Sequence, residues 1–454
     1  MSTSSTPPLS PLQSFNDTAN SLLVFDRFPV EVFDVVFDFV RIEDERGRTD
    51  KRTLFSCSRV SKAWHSLTLR HRFHSVSLFA RTGNPYEQRI RKNCFLQDFV
   101  RSPLFPTVQS YIQRLTLRWG IADLDPYIGA DLPGYLPLFP ALRSLKLRGL
   151  LGRRIPAPPL QHPPVLDSLC IEGWVCHARS HDPRVLFDVL SCFDSIGELQ
   201  LEDLCQWLPA DGLELGENEH PRVSSLVLRD STCQHPVCDI LESAIAHEKP
   251  LRRLDLRALS STDARGGVDL LESFSRTIED FQCAISSTGD TVSSQADASP
   301  PFDFSQLPLL RTLTVAVALP LSRTRARSVG GGEDLDKAAP WDRAIASLDT
   351  LRARARPSGA LKLLRLQLAP ARALADKAQT AASVLEALRR HDASVRALER
   401  ALLALVEARC VQLVQIGVYT APPASGLRGA CQHRCDEFVL GLFPKLRQAG
   451  VLRA

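Results

Sequence analysis

The chain has 454 residues, with 55 lysines and arginines against 51 aspartates and glutamates for a formal net charge of +4, and it is 44% hydrophobic and 23% charged. This composition rules out wholesale disorder and collagen-like repetition, and so small a positive surplus does not point to nucleic acid as a partner. At ~150 residues per domain, the length suits about three domains or one extended array.

No apolar run approaches the ~20 residues that span a bilayer, and LTVAVALPL at 313 to 321 stops far short, so no membrane association is expected. Residues 1 to 22 (MSTSSTPPLSPLQSFNDTANSL) lack the basic and continuous apolar regions of a secretory signal. That points to the cytoplasm or nucleus, where the 12 cysteines are expected as reduced thiols. The same segment, rich in Ser, Thr and Pro, buries too little apolar surface to order itself and is expected to be a mobile tail.

Order is expected from Leu23, and a helix from Pro29, where a first turn tolerates proline, with Glu31 near the positive end of the dipole. Eight of the twelve residues from 29 to 40 are Val or Phe, while Glu31, Asp34 and Asp38 form a narrow acidic stripe. A surface helix needs an apolar stripe on one side only. The surplus implies one face for the helix's own domain and one for a partner, or else a helix sandwiched inside the fold. A charged insert at 41 to 52 leads to TLFSCSRVSKAWHSL, in which Leu54, Cys57, Val60, Trp64 and Leu67 recur at three or four residues, the spacing of one helical face.

Beyond residue 70 a short unit repeats: apolar, two residues, apolar, one residue, apolar. It appears eleven times, as FHSVSL, IQRLTL, LRSLKL, LDSLCI, IGELQL, VSSLVL, LRRLDL, IEDFQC, LRTLTV, LKLLRL and VQLVQI. The last apolar positions from Leu117 to Cys283 are separated by 30, 24, 30, 27, 28 and 27 residues, a length that holds one strand and a return segment. Alternation puts Leu145 and Leu147 on one side of such a strand and Lys146 on the other, so each unit buries one face and needs neighbours to be stable. Prolines at 140, 164, 221, 250 and 308 stand just ahead of units and favour an extended entry into the strand. Segments such as RVLFDVLSCF (184 to 193) and CDILESAIA (238 to 246) read as intervening helices. Residues 286–301 and 321–340 read as flexible inserts, 371 to 409 as one or two helices, and LFPKLRQAGVLRA as a closing half-repeat.

The periodicity and LxxLxL pattern resemble leucine-rich repeats over roughly 73 to 454. They depart from the family in lacking the Asn or Cys that usually follows each unit, so the likeness is to irregular intracellular repeats. Residues 23–70 resemble an F-box, whose pattern opens Leu-Pro-x-Glu and closes Val-x-x-x-Trp. Phe28 stands for the leucine, Pro29 and Glu31 match, Val32, Phe33, Val36, Phe37 and Val40 fill the apolar positions, and Leu54, Val60 and Trp64 match the later helix. The whole is similar to irregular fungal F-box and leucine-rich-repeat proteins. The resemblance implies an α/β chain: a mobile tail (1–22), a short helical F-box (23–70), and an irregular leucine-rich-repeat solenoid (71–454) with parallel strands on its concave face.

It further implies a non-enzymatic adaptor of a cullin-RING ubiquitin ligase. The F-box would dock on the Skp-type linker through the residues just named, and the repeats would hold a target protein. The alternative is a repeat scaffold with no ligase, and a hydrolase or transferase concealed in the C-terminal half is a third reading. No Walker loop, G-x-S-x-G or H-E-x-x-H motif occurs, and no cofactor is expected. Cys233, His235 and Cys238, like Cys431, His433 and Cys435, offer three ligands each where structural zinc takes four, so they read as thiols rather than a metal site. Trp119, Trp174 and Trp207 follow strand ends and read as packing residues between repeats.

On the face opposite the buried leucines, the outward positions run basic, acidic, then basic along the chain. They include Arg114 and Arg118, Lys146 and Arg148, Glu172, Glu198 and Glu202, then Arg229, Arg253 and Arg257. They read either as a solvated surface or as the target-binding face.

Overall fold

The computed structural model describes residues 30–40, 51–79, 95–118, 128–149, 162–173, 184–202, 221–229, 238, 241–242, 245, 250–256, 264–285, 302–319, 339–353, 361–370, 388–389, 391–418, 437–438 and 440–453. The chain divides into two compact units. One comprises Met1–Ser77, Asp98–Leu115 and Phe139–Leu142, the other Leu78–Gln97, Thr116–Leu138 and Arg143–Ala454.

In the first unit three helices, α1 (Val30–Val40), α2 (Lys51–Cys57) and α3 (Lys62–Phe73), precede strand β1 (Ser75–Phe79). The valines of α1 favour strand on propensity alone. The helix forms because Phe33 and Phe37 lie four apart and close, with Leu54, a core against which Val40, Cys57, Trp64 and Leu67 pack. Trp64 meets Phe33 edge-on at 5.8 Å and Phe37 at 5.3 Å. The segment expected as one helical face from Leu54 to Leu67 is two helices. The Ser61 side chain accepts the Trp64 N–H and caps α3, so the chain turns at 58 to 61 and Val60 stands in the turn, 66% exposed. Lys51 and Arg52, expected in the charged insert, open α2. Helices α4 (Phe95–Arg101) and α5 (Phe105–Val108) follow, and Phe105 packs edge-on against Phe99 and Phe139.

Every one of the eleven repeated units contains a strand. After β1 come β2 (Arg114–Arg118), β3 (Ser144–Arg148), β4 (Val165–Glu172), β5 (Ser195–Glu202), β6 (Arg222–Arg229) and β7 (Arg253–Leu256). The series continues through β8 (Asp280–Ile285), β9 (Thr312–Leu319), β10 (Leu363–Pro370) and β11 (Val414–Val418), and the short β12 (Leu452–Arg453) comes from the expected half-repeat. They form one parallel sheet in strict chain order, as strands joined by crossovers of a dozen or more residues do. The register aligns the repeats: Leu147, Ile171, Leu201 and Leu228 are lateral neighbours, and so are Leu256, Cys283, Val315, Leu366 and Ile416. All of these side chains are buried. Pro164 and Pro221 stand immediately before β4 and β6, where the missing N–H is tolerated. Gly149 and Gly173 close β3 and β4 in the left-handed region, and their N–H groups bond the carbonyls of Glu172 and Glu202.

Helices fill the crossovers: α6 (Ile128–Tyr135), α7 (Arg184–Leu190), α8 (Ala264–Ser273), α9 (Ala339–Ala353), α10 (Asp392–Glu407) and α11 (Pro444–Gln448). The expected insert at 321–340 ends early, because Ala339 and Pro340 already belong to α9, proline again in a first turn. Sequence reading missed α9, although Trp341, Ala344, Leu348 and Leu351 repeat at helical spacing and are all buried. Between α10 and α11 the buried Glu399 carboxylate accepts the Lys445 N–H at 2.8 Å and pairs with Arg396 at 3.4 Å. It thereby satisfies a donor in the first turn of α11 that has no partner within the helix. The tail at 1–22 and the insert at 286–301 lie outside the described residues. Among the described residues no helix is long and apolar enough to cross a membrane.

Candidate functional site

Helix α1 has two apolar stripes. Phe33 and Phe37 face inward with Trp64 half-buried beside them, whereas Val32, Val35 and Val36 are 43%, 69% and 46% exposed. Of the residues expected to meet a partner, Phe33, Phe37, Leu54 and Trp64 therefore build the domain itself, and Val40 packs on the same core. Val32, Val36 and Val60 remain outside. Phe28 and Pro29 lie outside the described residues. Val35 was not singled out in the sequence, although it sits three residues beyond Val32 on the same outward stripe. Phe55, half-exposed on α2, was not singled out either.

Of the acidic stripe of α1, Asp34 is partly buried beside α3, while Glu31 and Asp38 are exposed. Asp34 pairs with Arg70 at 2.5 Å and with His71 Nε2 at 3.4 Å, while Asp38 reaches His71 Nδ1 at 3.2 Å. Burial holds His71 below the usual imidazole range, against the upward pull of Asp34 and Asp38, with Arg70 adding to the lowering. The consequence for stability has a definite sign. A folded value below the unfolded one of about 6.5 means that the unfolded chain binds more protons between the two values. The contribution of His71 is complete above about pH 6.5 and is lost as pH falls through its folded value. Urea titrations from about pH 7.5 down to 5 are expected to show declining stability, with a smaller decline in His71→Gln. Equal slopes in the two proteins would exclude His71 as the sensor.

In the second unit, the charges that read as separate stripes are neighbours in space. Lys146 lies 2.6 Å from Glu172 and 3.8 Å from Glu202, Arg148 pairs with Glu172, and Arg229 with Glu202 at 3.4 Å. Burial pushes the Glu172 carboxyl up, but Lys146 and Arg148 outweigh it and hold the group below its usual range. Lys146 is raised: burial lowers it, and the Glu172 bond with the nearby negative charges more than offsets that. Cys170, enclosed in the same cluster, is pushed up to about 11 by burial, so its thiol stays protonated and weakly nucleophilic near neutrality.

Arg253 reaches Glu198 and Asp280, each at 3.7 Å. Ser225 sits between Glu198 and Arg253 in the register, and the ion pair crosses the row over it. The expectation of an open outward face is corrected here, because Ser225, Val227, Asp255, Gln282 and Thr314 are all buried. Ser225 is a short side chain between Glu198 and Arg253, and Thr314 one between Gln282 and Arg365, so longer neighbours about 4.8 Å away on adjacent strands shield both. Arg114, Arg118 and Arg229 are exposed, and Arg257 lies outside the described residues.

Among the described residues no three His, Cys, Asp or Glu side chains gather to hold a metal. Cys238 is buried, while its expected companions Cys233 and His235, the 431 to 435 cluster, and Trp119, Trp174 and Trp207 lie outside the described residues. No family model matches the chain, and no curated protein is significantly similar to it.

Proposed function

We propose that this chain is a substrate-recognition adaptor of a cullin-RING ubiquitin ligase, acting in the cytoplasm or nucleus. In this reading residues 23–70 are an F-box that docks on the Skp-type linker. The strand units are an irregular leucine-rich-repeat solenoid whose concave face, lined by the parallel strands, holds a target protein. Ubiquitin transfer belongs to other subunits, and the chain itself catalyses nothing.

One observation carries the proposal. Helix α1 buries two phenylalanines in its own unit and still exposes Val32, Val35 and Val36 on its outward side, more apolar surface than a solvated helix of eleven residues needs. The repeat register supports the second half of the reading, since it sets a row of alternating side chains from each strand beside the next.

The test is co-expression with a Skp-type linker and recovery of the complex. The parent chain is expected to retain the linker, and Val32→Asp with Val35→Asp to lose it. A charge desolvated without a partner costs roughly 3–5 kcal/mol, which is a hundredfold or more in affinity. Because both valines point outward, the variant should melt like the parent. A parent chain that folds and captures no linker would leave the repeat scaffold without a ligase as the surviving reading.

A further inference from the structure

We propose that the hollow between α2, the end of α3 and β1 binds an organic phosphate, with Arg52 and Arg72 taking the phosphate and Phe73 and Val76 taking its carbon body. The hollow measures about 520 Å³ and is lined by Arg52, Phe55, Ser56, Arg72, Phe73, Val76 and Ser77. That falls within the range of small-ligand sites.

The chemistry follows from how the two guanidiniums are held. The Arg72 guanidinium carbon lies 5.2 Å from the centre of the Phe55 ring and 5.8 Å from that of Phe73. Arg59 approaches the same Phe55 ring at 6.0 Å and adds a third positive charge nearby. Contact with rings fixes a guanidinium through its face and leaves its in-plane N–H donors free, the geometry that receives an oxyanion through two parallel bonds. Arg52 is exposed at the edge of the hollow.

Among the described residues no carboxylate pairs with Arg52 or Arg72, whereas Arg70, two residues from Arg72, is paired with Asp34 at 2.5 Å. Two uncompensated charges converge on one space. A phosphate monoester, carrying nearly two negative charges at neutral pH, balances them, and a carboxylate does not. The volume exceeds what a bare phosphate fills, and the remaining wall is the Phe73 ring above the buried Val76. The ligand therefore carries an apolar portion. This inference is independent of the adaptor reading, since it uses neither the valine stripe nor the sheet.

The test is calorimetric titration of the full chain with phenyl phosphate, inorganic phosphate and phenol. Phenyl phosphate is expected to bind saturably and more tightly than inorganic phosphate, with no response to phenol. Arg52→Gln removes one exposed charge, and Ser77→Asp places a negative charge at the rim without disturbing the ring contacts. Each is expected to weaken phenyl phosphate by about tenfold or more while melting like the parent.

A phosphotyrosine peptide separates the two sources of the same chemistry. Tighter binding than phenyl phosphate identifies a phosphorylated protein segment, and equal binding identifies a free small phosphate. The proposal is overturned if phenyl phosphate shows no saturable binding, if both variants bind it unchanged, or if inorganic phosphate binds as tightly.

Discussion

Replacing Phe37 by alanine is expected to destabilise the helical unit by about 3–5 kcal/mol. The ring is fully buried, meets Trp64 edge-on at 5.3 Å and leans on His71 at 5.6 Å, so its removal forfeits the transfer of a large apolar group and opens a cavity that three short helices cannot close. Folded domains are commonly stable by only about 5–15 kcal/mol, and a loss of this size in a small unit exposes it to proteolysis. Limited proteolysis should cut the variant between residues 30 and 73 under conditions that leave the parent whole. Val35→Ala, a little over half a turn away on the outward stripe, is expected to stay within about ±0.5 kcal/mol. Equal proteolysis of the parent and Phe37→Ala would refute the inward assignment of the phenylalanine stripe.

Gly197→Val is expected to break the sheet locally between β4 and β5. A Cβ at this position would lie 2.6 Å from the Asp167 carbonyl oxygen, 3.3 Å from its carbon and 3.4 Å from its Cα. These are backbone atoms of the neighbouring strand, so no rotamer change relieves the overlap, and the strands have to separate. The ladder is already interrupted there: it pairs Leu166 with Ile196 and Ser168 with Glu198 and passes over the position between. Strain of this kind costs about 1–3 kcal/mol or more. Because β5 lies inside the row of stacked strands, the damage should spread to the ladders on both sides. Hydrogen exchange is expected to rise across β4, β5 and β6 in Gly197→Val, and less in Gly197→Ala. Unchanged protection in both variants would mean that the strands accept a side chain at this point.

Much of the sheet was legible from the chain alone. The spacing of Leu145, Leu147, Leu169, Ile171, Leu199 and Leu201 carried strand identity, the buried face and the pairing order, since a period of two admits one face and neighbours in sequence admit one partner. The prolines ahead of β4 and β6 marked where those strands begin, because proline both ends helices and favours extended backbone. The break between α2 and α3 was written locally as well, in Ser61 three residues before Trp64, but the apolar spacing of Leu54, Val60 and Trp64 imitated a continuous helix and concealed it.

What folding decided was which of two equivalent stripes faces which surroundings. Phe33 and Phe37 could be told from Val32, Val35 and Val36 only once Trp64 and Leu54 were brought against one side of α1, because a helix apolar on both sides contains no information about its neighbour. The charges on the sheet follow the same rule. Lys146, Glu172 and Glu202 are distant in the chain and read as separate stripes, yet parallel strands about 4.8 Å apart make them one neutralising cluster. Arg52 and Arg72 likewise share a hollow only because the chain reverses between α2 and β1. Periodicity is a property of consecutive residues and survives in the sequence, whereas the meeting of side chains from different elements is created by the tertiary fold.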